Sequence, residues 1–426
     1  MQTDRYGLTL STASAPARDA FVTGVDLMLC GLAGADTPLA EAAKHDPNFA
    51  LAHIALARLH QMWDRPAPMQ QALAAAQACT GLTHREQSHL NALTLLMQGQ
   101  SAKGKAAVDA HLLDHPRDAV IAQTCCGVFS LIGFSGLPGR EYEQLAFTSA
   151  LAPHYGDDWW FNGQHAFSQM EADQIAPAAK TIEVAITGNP RNANAAHVRS
   201  HLYYENAETA AGLGYLRDWI TGYTPGGILF THLHWHVALW ALEAGNTDLM
   251  WQTARDHLEP GAHNSPAINI LTDLASLLYR AELRGHTVTP DQWQSLSHYA
   301  AEAFPSPGIA FADAHAALAH AMAGNTEALS KIIENPKGPA GDLVVTMAEA
   351  FHAFAAADWP RAEGHFTLAL RDHARLGGSR AQRDLLEHAM ACTLLRQGRG
   401  PEARRLLSIR RPRASAGGAV VDHLAH

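Results

Sequence analysis

The apolar residues of this chain follow the period of an α-helix almost everywhere. Ala and Leu dominate, and apolar positions recur at i, i+3, i+4 and i+7. Segments that alternate with period two are nearly absent, and β-branched runs, which favour strands, are scarce. The pattern therefore predicts an all-α protein.

Short turns interrupt this helical pattern at regular intervals. Glycine often closes one helix and a small polar residue opens the next, as in Gly245-Asn246-Thr247 and Gly324-Asn325-Thr326. The turn markers, 34 to 40 residues apart, are positions 64, 99, 136, 173, 207, 245, 285, 324, 358 and 398. Because this spacing is typical of tetratricopeptide repeats, we predict an α-solenoid of about ten tetratricopeptide-like helix pairs.

The domain organisation follows from the repeats. Helix pairs of a solenoid stack on their neighbours, so we expect a single array over residues 16–409 without a sharp boundary. Residues 1–15 are predicted to be a mobile N-terminus, and residues 410–426, rich in Ala, Gly and Arg, a mobile tail. The uncharged stretch from Ala119 to Gly139 could span a bilayer by length, but its Gly, Pro and hydroxyl residues indicate a buried helix.

Composition narrows the range of partners. The 426 residues carry 41 acidic and 31 basic side chains, a net charge of −10, which argues against nucleic acid and anionic membranes as partners. The five Cys show no C-x-x-C spacing and the N-terminus lacks a secretory pattern, so we expect a cytoplasmic protein. The 26 His are unusually many and introduce groups that titrate near neutrality.

Two histidine pairs stand out. His197 and His201, and then His232 and His236, are each four residues apart, which places both rings of a pair on one helix face. Their repeats are adjacent, so the pairs should face each other across one groove. We interpret them as general acids and bases. Since chance predicts nearly as many such pairs, packing or solvation is the alternative. Four imidazoles, or three with a carboxylate, would suit zinc, but no H-E-x-x-H motif and no suitably spaced acid occur, so we predict no metal and no cofactor, with a zinc site as the alternative.

Further candidates lie towards the C-terminus. His315 precedes Gly324 by nine residues, as His236 precedes Gly245, so both take the same place in their repeats; Asp313 lies on another face of that helix.

A second C-terminal candidate is the segment that begins at Gly377-Gly378. These glycines end a helix, and Ser379 is predicted to cap the next one. Arg380 and Arg383 then oppose the helix dipole, which suggests a carboxylate or phosphate partner. An Arg–Asp pair between repeats is the alternative.

Several of these motifs occur together in the order of a known family. They are Leu82-Thr83-His84-Arg85-Glu86-Gln87 with His89, Asp114-His115-Pro116-Arg117-Asp118, His197 with His201, His232-Leu233-His234-Trp235-His236, Asp313-Ala314-His315, and Gly377-Gly378-Ser379 with Ala381-Gln382-Arg383-Asp384. With this order, the chain resembles the tetratricopeptide repeat protein 38 family from about residue 20 to 410.

The resemblance implies a superhelix of tetratricopeptide-like pairs but no particular reaction. It also implies that nine positions match family motifs, namely His197, His201, His232, His236, Asp313, His315, Gln382, Arg383 and Asp384. The chain departs from the family at Cys125-Cys126, where a His-Asp pair is expected, and at Tyr204, where an acid is expected.

Two functions of different class stay open. The first is a small-molecule site with hydrolase or lyase chemistry, in which the catalytic residues are His201, His232, His236 and His315. The substrate contacts are predicted at His197, Trp235, Asp313, Arg380, Gln382, Arg383 and Asp384, with Arg383 holding a carboxylate. The second is a non-catalytic scaffold that binds a peptide or protein. Self-association is compatible with either.

Overall fold

The computed structural model describes residues 2–410, so residues 411–426 of the predicted tail lie outside it. The first half of the chain contains β1 Gln2–Thr3, β2 Thr9–Leu10, α1 Ala15–Cys30, α2 Asp36–His45, α3 Ala50–Met62, α4 Pro66–Ala78, α5 His84–Met97, α6 Ser101–Asp114, α7 Ala119–Gln123, α8 Arg140–Tyr155, α9 Trp159–Glu171, α10 Ile175–Gly188 and α11 Ala193–Glu205.

The second half is likewise helical. It contains α12 Thr209–Ile220, α13 Phe230–Glu243, α14 Thr247–Thr253, a π-helical turn Ala254–Leu258, α15 Ala267–Leu283, α16 Pro290–Ala303, α17 Ala310–Met322, α18 Thr326–Glu334, α19 Gly341–Ala355, α20 Trp359–Leu370, a 3₁₀ turn His373–Leu376, α21 Arg380–Arg396 and α22 Gly400–Arg410.

Consecutive helices pack as pairs, as the sequence predicts. The pairs are α1 with α2, α3 with α4, α5 with α6, α9 with α10, α15 with α16, α17 with α18, α19 with α20 and α21 with α22. First helices of successive pairs also touch, as in α3 with α5, α15 with α17 and α17 with α19. This stacking of first helices is the arrangement of a tetratricopeptide-like array.

A left-handed residue makes the turn at each predicted marker. Positive φ values occur at nine of the ten marker positions and at Ala357 instead of position 358. Most are glycines, but Asp64, Asp173, Ala207 and Ala357 adopt φ between 52° and 63°. A left-handed residue ends a helix by redirecting the backbone. The turns that follow a helix therefore share this physical cause, whereas Gly136 lies in the loop between α7 and α8.

The described chain divides into two compact units, and whether they form one continuous array stays a prediction. The first unit comprises residues 2–132, 143–198 and 222–230, and the second comprises residues 133–142, 199–221 and 231–410. In the first unit, Trp160 and Phe161 are fully buried, so the aromatic run that opens α9 belongs to the core. In the second unit, Trp240, Tyr279 and Phe351 are core residues.

Two segments contain local structure that the sequence pattern did not indicate. Residues 2–14 contain the antiparallel β1–β2 pair, and Tyr6 and Leu10 are buried. The predicted helix from Ala119 to Gly139 is helical only as far as Gln123. Positive φ values at glycines 127, 136 and 139 turn the chain there instead.

Within the described residues, no helix combines the length and the apolar character needed to cross a membrane.

Candidate histidine site of the second unit

Three histidines of the second unit converge in its interior. His201 comes from α11, and His232 and His236 come from α13. The ring centroids of His201 and His236 are 4.6 Å apart, and those of His232 and His236 are 5.0 Å apart. Each ring offers a nitrogen within 4.8 Å of the others. His197 lies one turn before His201 on α11, in the first unit.

A buried polar stripe on α15 adds residues that sequence reasoning missed. Asn269, Thr272, Asp273, Ser276 and Arg280 are each at most 2% exposed. Asn269, Thr272 or Asp273, Ser276 and Arg280 follow one another at intervals of three or four residues, which places them on one face of an otherwise apolar helix. This spacing of polar residues within an apolar run was the available signal.

Asp273 connects this stripe to the histidines. Its two carboxylate oxygens lie 2.9 and 3.0 Å from Nδ1 of His232, and its second partner is the side chain of Gln382. Burial raises the pKa of Asp273, although His232 and Gln382 oppose that rise. In the tautomer whose Nδ1–H donates to the carboxylate, the lone pair of the His232 ring is on Nε2.

Burial determines the protonation of His201, and packing fixes the position of the His232 ring. Burial lowers the pKa of His201 to about 3, and His232 contributes to the lowering, so the His201 ring is neutral at pH 7. Trp235 is fully buried and stacks on His232, with centroids 5.2 Å apart. Trp235, a predicted substrate contact, therefore holds the His232 ring in place.

The first turn of α21 makes further polar contacts at this site. Ser379 and Gln382 form the predicted capping box. Arg383 donates to the carboxylate of Glu141 and to the carbonyl of Gly378. Arg383, predicted to hold a substrate carboxylate, is thus bonded to a carboxylate of the chain itself.

Two more residues of this turn reach α11. The hydroxyl of Tyr204 donates to Asp384 at 3.1 Å, and Nε of Arg380 lies 3.7 Å from Glu205. Tyr204 is close to His201 on α11, while Gln382 bonds Asp273 and Asp273 bonds His232. Helices α11, α21, α15 and α13 are thereby joined by a chain of polar contacts.

His315 and Asp313 occupy different surroundings on α17. Nδ1 of His315 donates to the carbonyl of Phe311 at 2.7 Å, and burial lowers the pKa of His315 to about 4. Asp313 accepts from the backbone N–H of Gly308 at 3.0 Å, and burial raises its pKa to about 6. Their direct contacts are thus local to α17 and the loop before it.

A second histidine cluster lies in the first unit. Oδ2 of Asp118 accepts from Nη1 of Arg85 at 2.7 Å, Nδ1 of His89 at 2.9 Å and Nε2 of His111 at 3.2 Å. Burial alone would raise the pKa of Asp118, but His89, His111 and Arg85 hold it well below its usual range. The adjoining cavity of about 20 Å³ has room for one water molecule.

Comparison with known proteins gives structural similarity only. No protein-family model matches the sequence. The chain is similar to human IFIT1, in a dimer with m7Gppp-AAAA, at 12% identity over 97% of this chain and 98% of that chain, with a TM-score of 0.47. It is also similar to yeast Tom70 at 14% identity over 96% of this chain and 87% of that chain, with a TM-score of 0.36. Similarity of this degree does not bear on what this chain binds.

The helix pairs and their left-handed turns define the class of protein. The chain is an all-α protein, a tetratricopeptide-like α-solenoid.

Proposed function

We propose that the second unit binds a small polar molecule and carries out hydrolase or lyase chemistry on it at the cluster of His201, His232 and His236. The observation that carries this proposal is the bond from Nδ1 of His232 to Asp273, beside two further imidazoles. A carboxylate that orients a histidine and places its lone pair on the far nitrogen is the usual support of an acid–base centre.

Buried polar atoms without partners support a ligand in this unit. Oδ1 of Asn269, Oγ1 of Thr272 and Nε2 of His315 have no hydrogen-bond partner within the described part of the chain. Buried polar groups are almost always bonded, so such atoms are candidate contacts for a polar ligand. Asn269 and Thr272 share the α15 face with Asp273, and we assign them to ligand binding.

The contacts of Arg383 do not favour the carboxylate-bearing ligand that the sequence predicts. A ligand carboxylate at Nη2 of Arg383 would compete with Glu141, which already accepts from that nitrogen. We therefore propose a polar ligand of either charge state and give Arg383 the role of holding the start of α21.

A substrate screen with two histidine variants tests the enzyme proposal. We expect turnover of at least one member of a panel of esters, amides and hydroxy acids by the full chain, and a loss of about 100-fold or more in His232→Gln. His234→Gln is the matched control, because His234 is buried on the same helix but packs on His257, with centroids 3.8 Å apart. Equal turnover by both variants would place the chemistry elsewhere.

A peptide-binding scaffold is the second candidate. It is favoured by an open groove of about 500 Å³ on the second unit, lined by residues that include Thr209, Leu213, Arg217 and Glu243. In this case a peptide library should yield ligands whose affinity falls in Arg217→Glu and is unchanged in His232→Gln. Absence of turnover together with this result would favour the scaffold.

The proposal includes the partners and the location of the protein. The net charge of −10 argues against nucleic acid and against anionic membranes as partners, and the cysteine pattern fits the cytoplasm.

We also propose membership of the tetratricopeptide repeat protein 38 family. At the departure from the family pattern, burial raises the pKa of Cys125 to about 12, so its thiol does not replace the expected ionisable pair.

A further inference from the structure

We infer that His201, His232 and His236 form a binding site for a divalent transition-metal ion of the zinc class. The inference deepens the proposed function and relies on it for the role of the site, but metal binding can be measured without any substrate.

The positions of the rings fit one metal ion. The three ligand nitrogens lie within 4.8 Å of one another. Zinc binds histidine nitrogen at about 2.0–2.1 Å, which puts the nitrogens of a tetrahedral site about 3.4 Å apart. The nitrogens therefore have to move closer together than their observed spacing before all three can bind one ion. Because the rings come from α11 and α13, a bound ion would join two helices.

The surroundings of His232 resemble the outer shell of a metal site. A metal-binding histidine commonly donates its other ring nitrogen to a carboxylate, which fixes the tautomer and the ring direction. Asp273 provides this contact at 2.9 Å, Gln382 bonds Asp273 in turn, and Trp235 stacks on the imidazole. The ring that would bind metal is therefore held on both sides.

The ligand type selects the class of metal. Three imidazoles suit zinc, cobalt, nickel or copper, whereas magnesium and calcium require oxygen ligands. Where these three imidazoles are the only protein ligands, a tetrahedral ion keeps one position for water or substrate. The ion would then act as the Lewis acid of the proposed hydrolase or lyase chemistry.

Metal titration of the full chain tests the inference. The protein is stripped with EDTA, loaded with Zn²⁺ or Co²⁺, desalted and analysed for bound metal, and the Co²⁺ form is examined for visible d–d absorption. We expect one ion per chain in the wild type and in His234→Gln, and at least about 100-fold weaker binding in His236→Gln and in His201→Gln. Circular dichroism shows whether each variant is folded, and either folded variant suffices.

The possible outcomes separate the two proposals. No bound metal in the wild type overturns the inference, and turnover that still depends on His232 would then show metal-free acid–base chemistry. Undiminished binding in folded His236→Gln overturns it as well. Metal bound through these histidines without any turnover would support the metal site and contradict the enzyme proposal.

Discussion

Each unit of the chain contains a buried histidine cluster with one aspartate, but the aspartates have different partners. In the first unit, one oxygen of Asp118 accepts from Arg85 and from two histidines. In the second unit, Asp273 accepts from His232 and Gln382, and two further imidazoles lie beyond His232. The same residue types therefore build two different electrostatic environments.

The partner of the carboxylate decides what each cluster can bind. In the first cluster the guanidinium of Arg85 lies 2.7 Å from the oxygen that a metal would need, and like charges repel strongly at a buried site. In the second cluster the carboxylate of Asp273 bonds Nδ1 of His232, and the imidazoles are the groups that can bind a ligand or a metal. We assign structural work to the first cluster and ligand or metal binding to the second.

Asp118→Asn should have the largest effect on stability. It leaves the buried guanidinium of Arg85 without its counter-charge, which typically costs about 3–5 kcal/mol. Urea unfolding measures the loss, and Asp114→Asn, an exposed change on the same turn, should remain within about 0.5 kcal/mol of the wild type. A loss below about 1 kcal/mol would contradict a charge-compensating role.

The same carboxylate predicts a dependence on acid. Its pKa is lower in the folded than in the unfolded chain, so its contribution to the free energy of unfolding is complete above its ordinary value of 3.8 and is lost as pH falls towards the folded value. Unfolding curves measured between pH 5 and pH 2 should fall less steeply in Asp118→Asn than in the wild type.

Zinc should act on the second unit only. At a free concentration of 100 times Kd, an ion bound to the folded state adds about 2.7 kcal/mol to its stability. Hydrogen exchange should show the added protection in α11 and α13 and none in α5 and α6. Protection centred on α5 and α6 would reverse the assignment of the two clusters.

Asp273→Asn should weaken metal binding without abolishing it. Removing the outer-shell carboxylate of a metal-binding histidine usually costs about 10–100-fold in affinity. The Co²⁺ titration measures the change, and Asp256→Asn, an exposed change in the same unit, is the control. Unchanged affinity in folded Asp273→Asn would remove Asp273 from the site.

Ser88→Ala should give the smallest effect. The hydroxyl of Ser88 lies 2.7 Å from Nδ1 of His111, and loss of one such hydrogen bond costs about 1 kcal/mol. Urea unfolding is again the measurement, with exposed Ser101→Ala as its comparison. A loss as large as that of Asp118→Asn would show that His111, not the carboxylate, organises the first cluster.

The repeat fold could be predicted because its signals are local. Helical periodicity and a left-handed residue at the end of a helix are properties of neighbouring residues, so turn positions such as Gly245 and Gly324 are visible in the sequence. The end of α7 at Gln123 was missed because the glycines that follow were interpreted as part of an apolar helix.

The site could be predicted only in part because its contacts are distant in sequence. The spacing of His232 and His236 is a local pattern, whereas the bond from His232 to Asp273 joins residues 41 positions apart. The pair of Arg383 and Glu141 spans 242 positions, and no periodicity indicates such a partner. The run of polar residues within the apolar sequence of α15 was the local signal that could have indicated Asp273.

The segment 133–142 also imposes an order of events on synthesis. Arg140 donates to the carbonyls of Ala374 and Gly378, and Glu141 binds Arg383, all within the second unit. At about 5–20 residues per second, a ribosome needs roughly 12–50 s to make the 242 residues between Glu141 and Arg383. During that interval the carbonyls of Ala374 and Gly378, which accept from Arg140 in the folded chain, have not yet been made. The residues around Ala374 to Arg383 must therefore be synthesised before the segment 133–142 can form these contacts.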